Sequence, residues 1–274
     1  MSSLRVLARD WLPPAVIRRI RGVSRGAIRF EGPYATWEEA NARCGGYAAQ
    51  EILAKVLEAT LKVKQGEEAF ERDSVLFHQI EYAWPVLSGL MWAAARNRGT
   101  LNVLDFGGAL GSSYFQNQKF LQALTSVRWS IVEQAHYVDA GRAYIQDEVL
   151  RFYKSIEECL AENKPNVILL SSVLQYLQLP NRVIGQLPGV GATILIVDRT
   201  SFSVCKEDRL VIQRVPASIY TASYPMWVFS KFAFMERLLA NWSLVASNVG
   251  PEGFARSSNG FQFSFQGFLL ELRS

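Results

Sequence analysis

The chain reads as an α/β protein built on a doubly wound, largely parallel sheet, and three observations carry that reading. From residue 101 onward, short apolar and β-branched runs alternate with helical stretches, the pattern of parallel strands joined by crossover helices. The apolar run Leu101-Asn102-Val103-Leu104 leads into a glycine turn at Gly107 and Gly108, at the sheet edge where such folds hold ligands. Two late apolar runs, 243–249 and 266–272, have no long helix between them, so the sheet is expected to end in an antiparallel return at one edge.

The strands expected are 101–106, 127–133, 150–153, 166–171, 192–198, 243–249 and 266–272, with helices between the first five. The aromatic run Phe254, Phe261, Phe263, Phe265 and Phe268, Trp129 and Phe152 read as core. Before residue 99 the pattern is helical. Thr36 caps a helix carrying Trp37, Glu38 and Glu39, and 47–64 repeats Ile52, Leu53, Val56, Leu57 and Leu61 at helical spacing. A further helical stretch is expected at 74–96. Residues 1–98 thus read as a helical N-terminal region packing on or capping a sheet domain of residues 99–274, with no flexible linker between.

With 274 residues, 49% of them hydrophobic, the chain can fill a sizeable core. Its formal charge of +4, from 29 basic and 25 acidic residues, does not demand a nucleic-acid partner, and none is expected. Cys44, Cys159 and Cys205 are scattered, and the histidines are His78 and His136 alone, so neither a disulfide framework nor a metal site is expected. The apolar runs fall short of the roughly 18 residues of a membrane span and the N-terminus lacks a signal-peptide pattern, which predicts a cytoplasmic protein. The segment 11–21 can form a short basic amphipathic helix, which lies on the domain or makes weak membrane-surface contact.

The loop Asp105-Phe106-Gly107-Gly108-Ala109-Leu110-Gly111 is the principal ligand candidate. Gly107 and Gly108 permit positive φ and close approach, Gly111 lets the next helix pack near the strand, and that helix N-terminus attracts a negative group. Dinucleotide binders use a similar turn. A carboxylate at Asp105 would repel a pyrophosphate, whereas S-adenosylmethionine has no phosphate and carries an ammonium and a sulfonium. Glu133 ends the second strand, where a carboxylate can accept both ribose hydroxyls. Ser155 and Ile156 lie where such folds flank adenine, and Ser171 and Ser172 end the fourth strand beside the expected methyl group. Asp105, Gly107, Gly108, Ala109, Gly111, Glu133, Ser155, Ile156, Ser171 and Ser172 are therefore the expected cofactor contacts.

At these residues the chain resembles class I S-adenosylmethionine-dependent methyltransferases, and more closely a methyltransferase family found among bacterial surface-polysaccharide genes. The resemblance runs from Gly32 to Pro225 through Trp37-Glu38-Glu39-Ala40, Glu71-Arg72-Asp73-Ser74-Val75-Leu76-Phe77, the glycine loop, Trp129-Ser130-Ile131-Val132-Glu133-Gln134, Ser171-Ser172-Val173-Leu174-Gln175-Tyr176, Asp198-Arg199-Thr200 and Ser223-Tyr224-Pro225. It implies a Rossmann-like seven-stranded sheet with helices on both faces, S-adenosyl-L-methionine as methyl donor and a sugar or glycan-precursor acceptor. The chain departs from better-known members in having Ala109 for the usual middle glycine and no Asn/Asp-Pro-Pro-aromatic motif after the fourth strand. The missing motif argues against methylation of an exocyclic base amine or a glutamine amide, because it supplies the acceptors for the amine's hydrogens.

Methyl transfer runs largely on proximity, and a hydroxyl acceptor adds the need for a base. The candidates are His78, on an expected helix lidding the pocket, Asp198, Tyr176 and Tyr224, with Glu81 and Tyr82 as alternatives. Arg199 pairs with Asp198 or with an anionic group of the substrate. The stretch 213–227, rich in aromatic and hydroxyl side chains, reads as an insertion on the acceptor side. Two other readings stay open: a nicotinamide-dependent oxidoreductase, which lacks a Tyr-x-x-x-Lys pair and must accommodate Asp105, and a non-catalytic cofactor-binding subunit.

Overall fold

A computed structural model describes residues 28–45, 49–72, 74–216 and 222–273. The basic segment 11–21, Asp73 and the middle of the 213–227 stretch lie outside the described residues.

In chain order the elements are β1 (Arg29–Tyr34), α1 (Trp37–Ala42), α2 (Ala49–Lys64), β2 (Phe70–Arg72), β3 (Val75–Phe77), α3 (Trp84–Arg96), β4 (Thr100–Phe106), α4 (Ser112–Leu121), β5 (Ser126–Val132), α5 (Ala135–Ala140), β6 (Leu150–Tyr153), α6 (Ile156–Glu162), β7 (Val167–Ser171), α7 (Pro180–Gln186), β8 (Ile194–Ser203), β9 (Arg209–Val215), β10 (Ala222–Ser230), α8 (Lys231–Leu239), β11 (Trp242–Arg256) and β12 (Gln262–Leu272). The parallel neighbours run β6-β5-β4-β7-β8, so the order reverses between β4 and β7. β12 then pairs antiparallel to β8, and β11 antiparallel to β12. That part matches the expected doubly wound sheet with its antiparallel return.

Strand parity sorts the core into two layers. Leu101, Val103, Trp129, Ile131, Val167, Leu169, Ile194 and Ile196 face one hydrophobic cluster with α2, α3 and α4. Leu104, Val132, Ile168, Leu170, Leu195 and Val197 face the other, with residues of α6, α7 and α8. Each strand is apolar on both faces because each face is covered by helices.

Three expectations need correction. Among the described residues the main sheet has ten strands rather than seven, because β1, β9 and β10 extend it in the order β1-β9-β10-β8. The stretch read as an insertion loop is largely a pair of antiparallel strands, Ala222–Val228 against Arg209–Val215. Its side chains alternate between two partners: Leu210 and Ile212 pack with Ala40, while Val211 packs with Phe263. Second, the region before residue 99 is only partly helical. β1 pairs with β9, and 74–96 contributes β3 before α3 starts, with Pro85 in its first turn where proline's missing N–H costs nothing. Third, Phe254 is 84% exposed, whereas Phe263, Phe265 and Phe268 are buried as expected.

Local signals fared better. The Thr36 hydroxyl accepts from the Glu39 N–H at 3.1 Å and caps α1. Ile52 and Val56 of α2 are buried in the first core layer, with Leu53, Leu57 and Leu61 packed against it. No helix among the described residues is long and apolar enough to cross a membrane.

Candidate functional site

The order reversal between β4 and β7 leaves a crevice at the carboxyl ends of the strands, and the glycine loop sits at its floor. Gly107 has φ +74 and its N–H donates to the Val132 carbonyl at 2.9 Å, which clips the loop to the end of β5. A Cβ at 107 would lie 2.3 Å from Val173 Cγ2, and one at 108 would lie 2.5 Å from Asp105 Oδ2. Gly111, at φ +101, opens α4. Ala109 adopts φ +49 without being glycine, a conformation a β-carbon disfavours.

Asp105 is 1% exposed and lies beneath Gly108 rather than open to the crevice. Trp129 Nε1 donates to its Oδ2 at 2.9 Å. Burial pushes the carboxyl up to about 7; the indole hydrogen bond opposes the shift and the nearby Glu133 charge adds to it. Sequence alone placed this acid against a ligand's cation; in the structure it is sealed from the crevice, with its carboxylate against Gly108. Trp129, read as core, is core and also the partner of this acid.

Glu133 stands where expected, one residue past β5. Its N–H donates to the Tyr153 carbonyl at 3.1 Å, and its carboxylate accepts from the Gln134 N–H at 2.6 Å. The Ala109 N–H also bonds this carboxylate, so Glu133 and the glycine loop form one unit. Burial raises its pKa, partly offset by those two N–H groups. Each carboxylate oxygen has two acceptor sites, so capacity remains for a pair of ligand hydroxyls.

Ser155 caps α6, its Oγ accepting from the Glu158 N–H at 3.1 Å, and Ile156 is buried in the second core layer. The motif there is a helix start, which the polar-then-apolar pair Ser155-Ile156 also encodes.

Ser171 ends β7 and pairs in register with Asp198, midway along the neighbouring strand β8, which runs on to Ser203 rather than ending at 198 as expected. Ser171 Oγ donates to Asp198 Oδ2 at 2.8 Å, and Arg199 Nε lies 3.4 Å from the same oxygen. Ser172 turns the chain at φ +54, its N–H on the Asp198 carbonyl at 2.9 Å and its Oγ accepting from Gln175. Above them, Arg72, Ser112, Ser113, Ser171, Asp198 and Arg199 line a narrow cleft shared by the β2–β3 hairpin, the starts of α3 and α4, the end of β7 and the middle of β8.

The other base candidates scatter. Tyr176 and Tyr224 meet edge to face at 5.1 Å and share Gln213: the Tyr176 hydroxyl donates to its Oε1 at 3.0 Å, and its Nε2 donates to the Tyr224 hydroxyl at 3.2 Å. Neither tyrosine lines the cleft with Asp198. His78 is a correction: it follows β3 outside any helix, its side chain is 93% exposed, it pairs with Glu68 at 2.9 Å, and it borders a separate cleft against α4. Glu71 and Arg72 had no assigned role, yet Glu71 is 1% exposed and accepts from the Ser112 hydroxyl at the start of α4 and from the Ser74 N–H at 3.2 Å. The signal for them was the short strand-period pattern Phe70-Glu71-Arg72, too brief to stand out within a helical region.

No protein-family model and no curated protein matches the chain. Among solved structures it is similar to a Burkholderia thailandensis 1,6-didemethyltoxoflavin-N1-methyltransferase with bound 1,6-didemethyltoxoflavin and S-adenosylhomocysteine, at 14% identity and a TM-score of 0.42, over 88% of this chain and 99% of that one. It is similar to an S-adenosylmethionine-dependent methyltransferase from Clostridium acetobutylicum, at 10% identity and a TM-score of 0.45, over 71% and 93% of the two chains. It is also similar to CalS10, an amino pentose methyltransferase from Micromonospora echinaspora with bound S-adenosylmethionine, at 10% identity and a TM-score of 0.44, over 69% and 90%. Likeness at this level carries no inference about chemistry.

Proposed function

We propose that the chain is a cytoplasmic S-adenosylmethionine-dependent methyltransferase that O-methylates a sugar or surface-glycan precursor. The observation that carries the cofactor assignment is the joined unit of glycine loop and Glu133, with the buried acid Asp105 beneath it. This unit fits an adenosyl cation. Gly108 leaves bare backbone where any Cβ would strike Asp105, Glu133 presents acceptors for ribose hydroxyls, and the carboxylates under and beside the loop, where ionised, repel a pyrophosphate. The acceptor class comes from the family resemblance of residues 32–225.

The cofactor, when bound, supplies a methyl group on a positively charged sulfur. The chain's own work is to orient it and to exclude water. Glu133, held by two backbone N–H groups, fixes the ribose; the loop clipped to Val132 fixes the floor; Asp105, pushed up to about 7 by burial, adds negative potential from below where it is ionised. Of the four base candidates, Asp198 alone lines the cleft, and its carboxylate can accept the proton of an acceptor hydroxyl while Ser171 and Arg199 hold it in place. Because Asp198 is engaged by both, a non-catalytic cofactor-binding subunit is the second reading, and transfer of labelled methyl to a sugar acceptor separates the two.

The test of the cofactor is parallel calorimetric titration with S-adenosylmethionine, S-adenosylhomocysteine and NADH. Micromolar binding of both adenosyl ligands and none of NADH is expected. Binding of NADH alone would replace the reading with an oxidoreductase.

A further inference from the structure

Three large apolar side chains that the fold leaves exposed meet at one end of the sheet. β8 and β10 run parallel and finish side by side, with Phe202 opposite Phe229 and Ser203 opposite Ser230. Past each strand end the chain presents an apolar residue: Val204 is fully exposed, and Phe232, in the first turn of α8, is 77% exposed. Phe254, also exposed, joins the same row across β12, since it pairs with Ser264 and Ser264 pairs with Phe202. Directly paired residues share a face of the sheet. Phe202 packs on Phe234 of α8 with ring centres 4.9 Å apart, so Phe254 stands on the face that carries α8. Isolated exposed apolar residues are ordinary, whereas a group of them marks a contact surface. The charges around this group are nearly balanced. Lys206, Lys231 and Arg256 stand beside it with Glu236 and Glu252, while Glu207 and Asp208 pair with Arg209 at 3.6 Å and Arg237 at 3.7 Å.

A strong positive charge is supplied by the start of the chain, which reaches the fold at this same end. Phe30 of β1 bridges to Ser257, and the Ser258 N–H donates to the Phe30 carbonyl at 2.8 Å, so β1 begins beside the β11–β12 turn. The residues before Ile28 carry six arginines, among them Arg18, Arg19 and Arg21, against the single acid Asp10. The whole positive charge of the chain, +4, is therefore concentrated there. The stretch from Arg21 to Ile28 spans at most about 25 Å, which keeps these arginines within reach of Phe254 and Arg256. We propose that this end of the molecule docks on an anionic lipid surface, with Val204, Phe232 and Phe254 entering the interface and the N-terminal arginines on the headgroups. Apolar insertion and attraction to anionic lipid add, and this end of the molecule brings the two together. A nucleic acid would engage the arginines and leave the three apolar side chains in water. β8 reaches this end at its carboxyl terminus, the edge of the sheet at which the crevice opens. Docking thus brings the crevice to the membrane side, where an acceptor carried on a lipid would meet it, a consequence that rests on the proposed function although the docking itself does not.

The test is co-sedimentation of the full chain with vesicles of phosphatidylcholine, alone or mixed with phosphatidylglycerol, at low and high salt. The wild type is expected to favour the anionic vesicles about a hundredfold, since each arginine at the surface contributes about fivefold, and to lose most of that preference at high salt. Arg18→Glu combined with Arg19→Glu should weaken binding about twentyfold or more. Phe232→Ser combined with Phe254→Ser should weaken it about tenfold while leaving the melting temperature unchanged, because both side chains are exposed in the free protein. Binding that survives the serine pair but not the glutamate pair overturns the docking face and leaves attachment to the N-terminal segment alone. Equal or absent binding to the two kinds of vesicle overturns the proposal outright. So does retention on duplex DNA in place of vesicles, which makes the arginines a polyanion site, or a dimer in sedimentation velocity that the serine pair dissolves, with no vesicle binding, which makes the apolar group a self-contact. Titration with S-adenosylhomocysteine on the same preparations reports on the cofactor separately, so that failure of one reading is distinguished from failure of the other.

Discussion

Replacing Asp105 with asparagine should make the protein more stable above neutrality and flatten its pH dependence. In the folded chain burial pushes this carboxyl up to about 7 from an ordinary 3.8. The folded state therefore binds the proton more tightly than the unfolded state. Below about pH 4 the group is protonated in both states and has no effect on stability; as pH rises from 4 to 7 the unfolded chain ionises first and stability is lost; above 7 the loss is complete. At about 1.4 kcal/mol per tenfold in proton affinity, the full loss is about 4 kcal/mol. Asparagine cannot ionise and keeps a side-chain oxygen to accept from Trp129 Nε1, the bond seen at 2.9 Å. For a chain of this length each kcal/mol moves Tm by about 2 °C, so Asp105→Asn should melt roughly 8 °C above the wild type at pH 8 and within a degree or two of it at pH 4. The assay is thermal unfolding followed by circular dichroism from pH 4 to 9 on both proteins. Stability curves that run parallel across that range would refute the burial argument, because the other titrating groups are common to both chains and cancel in the difference.

Glu133→Ala should weaken S-adenosylhomocysteine binding by roughly 1–3 kcal/mol, the cost of leaving ligand hydroxyls and the Ala109 and Gln134 N–H groups without their acceptor; titration calorimetry reads this, and unchanged affinity with intact folding would remove Glu133 from the site. Gly107→Ala should destabilise the fold by about 2 kcal/mol or more, since its Cβ would stand 2.3 Å from Val173 Cγ2 at a φ of +74; a urea midpoint equal to wild type would contradict the loop geometry. His78→Ala should leave both ligand binding and methyl transfer within a factor of two, because the ring is 93% exposed and lies on a separate cleft; a large loss of turnover would restore it as a base.

What the sequence determined by itself was whatever depends on near neighbours along the chain. Alternating apolar runs from residue 101, the glycines at 107, 108 and 111, the acid ending each of the first two strands, and the Thr36 cap are local patterns with local causes, and each stands in the structure where it was read. The antiparallel return of β11 and β12 was legible because a missing helix is also a local fact. Only the tertiary structure decided what depends on contacts between distant segments. β1 joins the sheet edge through β9, about two thirds of the chain away, Arg29 pairing with Arg214. Glu71 reaches Ser112, Arg72 enters a cleft with Asp198, and Asp105 turns out to be sealed under Gly108 by Trp129. A three-residue strand such as β2 has too little periodicity to announce itself. Whether a carboxylate faces a ligand or a core indole is settled by which face of β4 it occupies and by what the next strand places there.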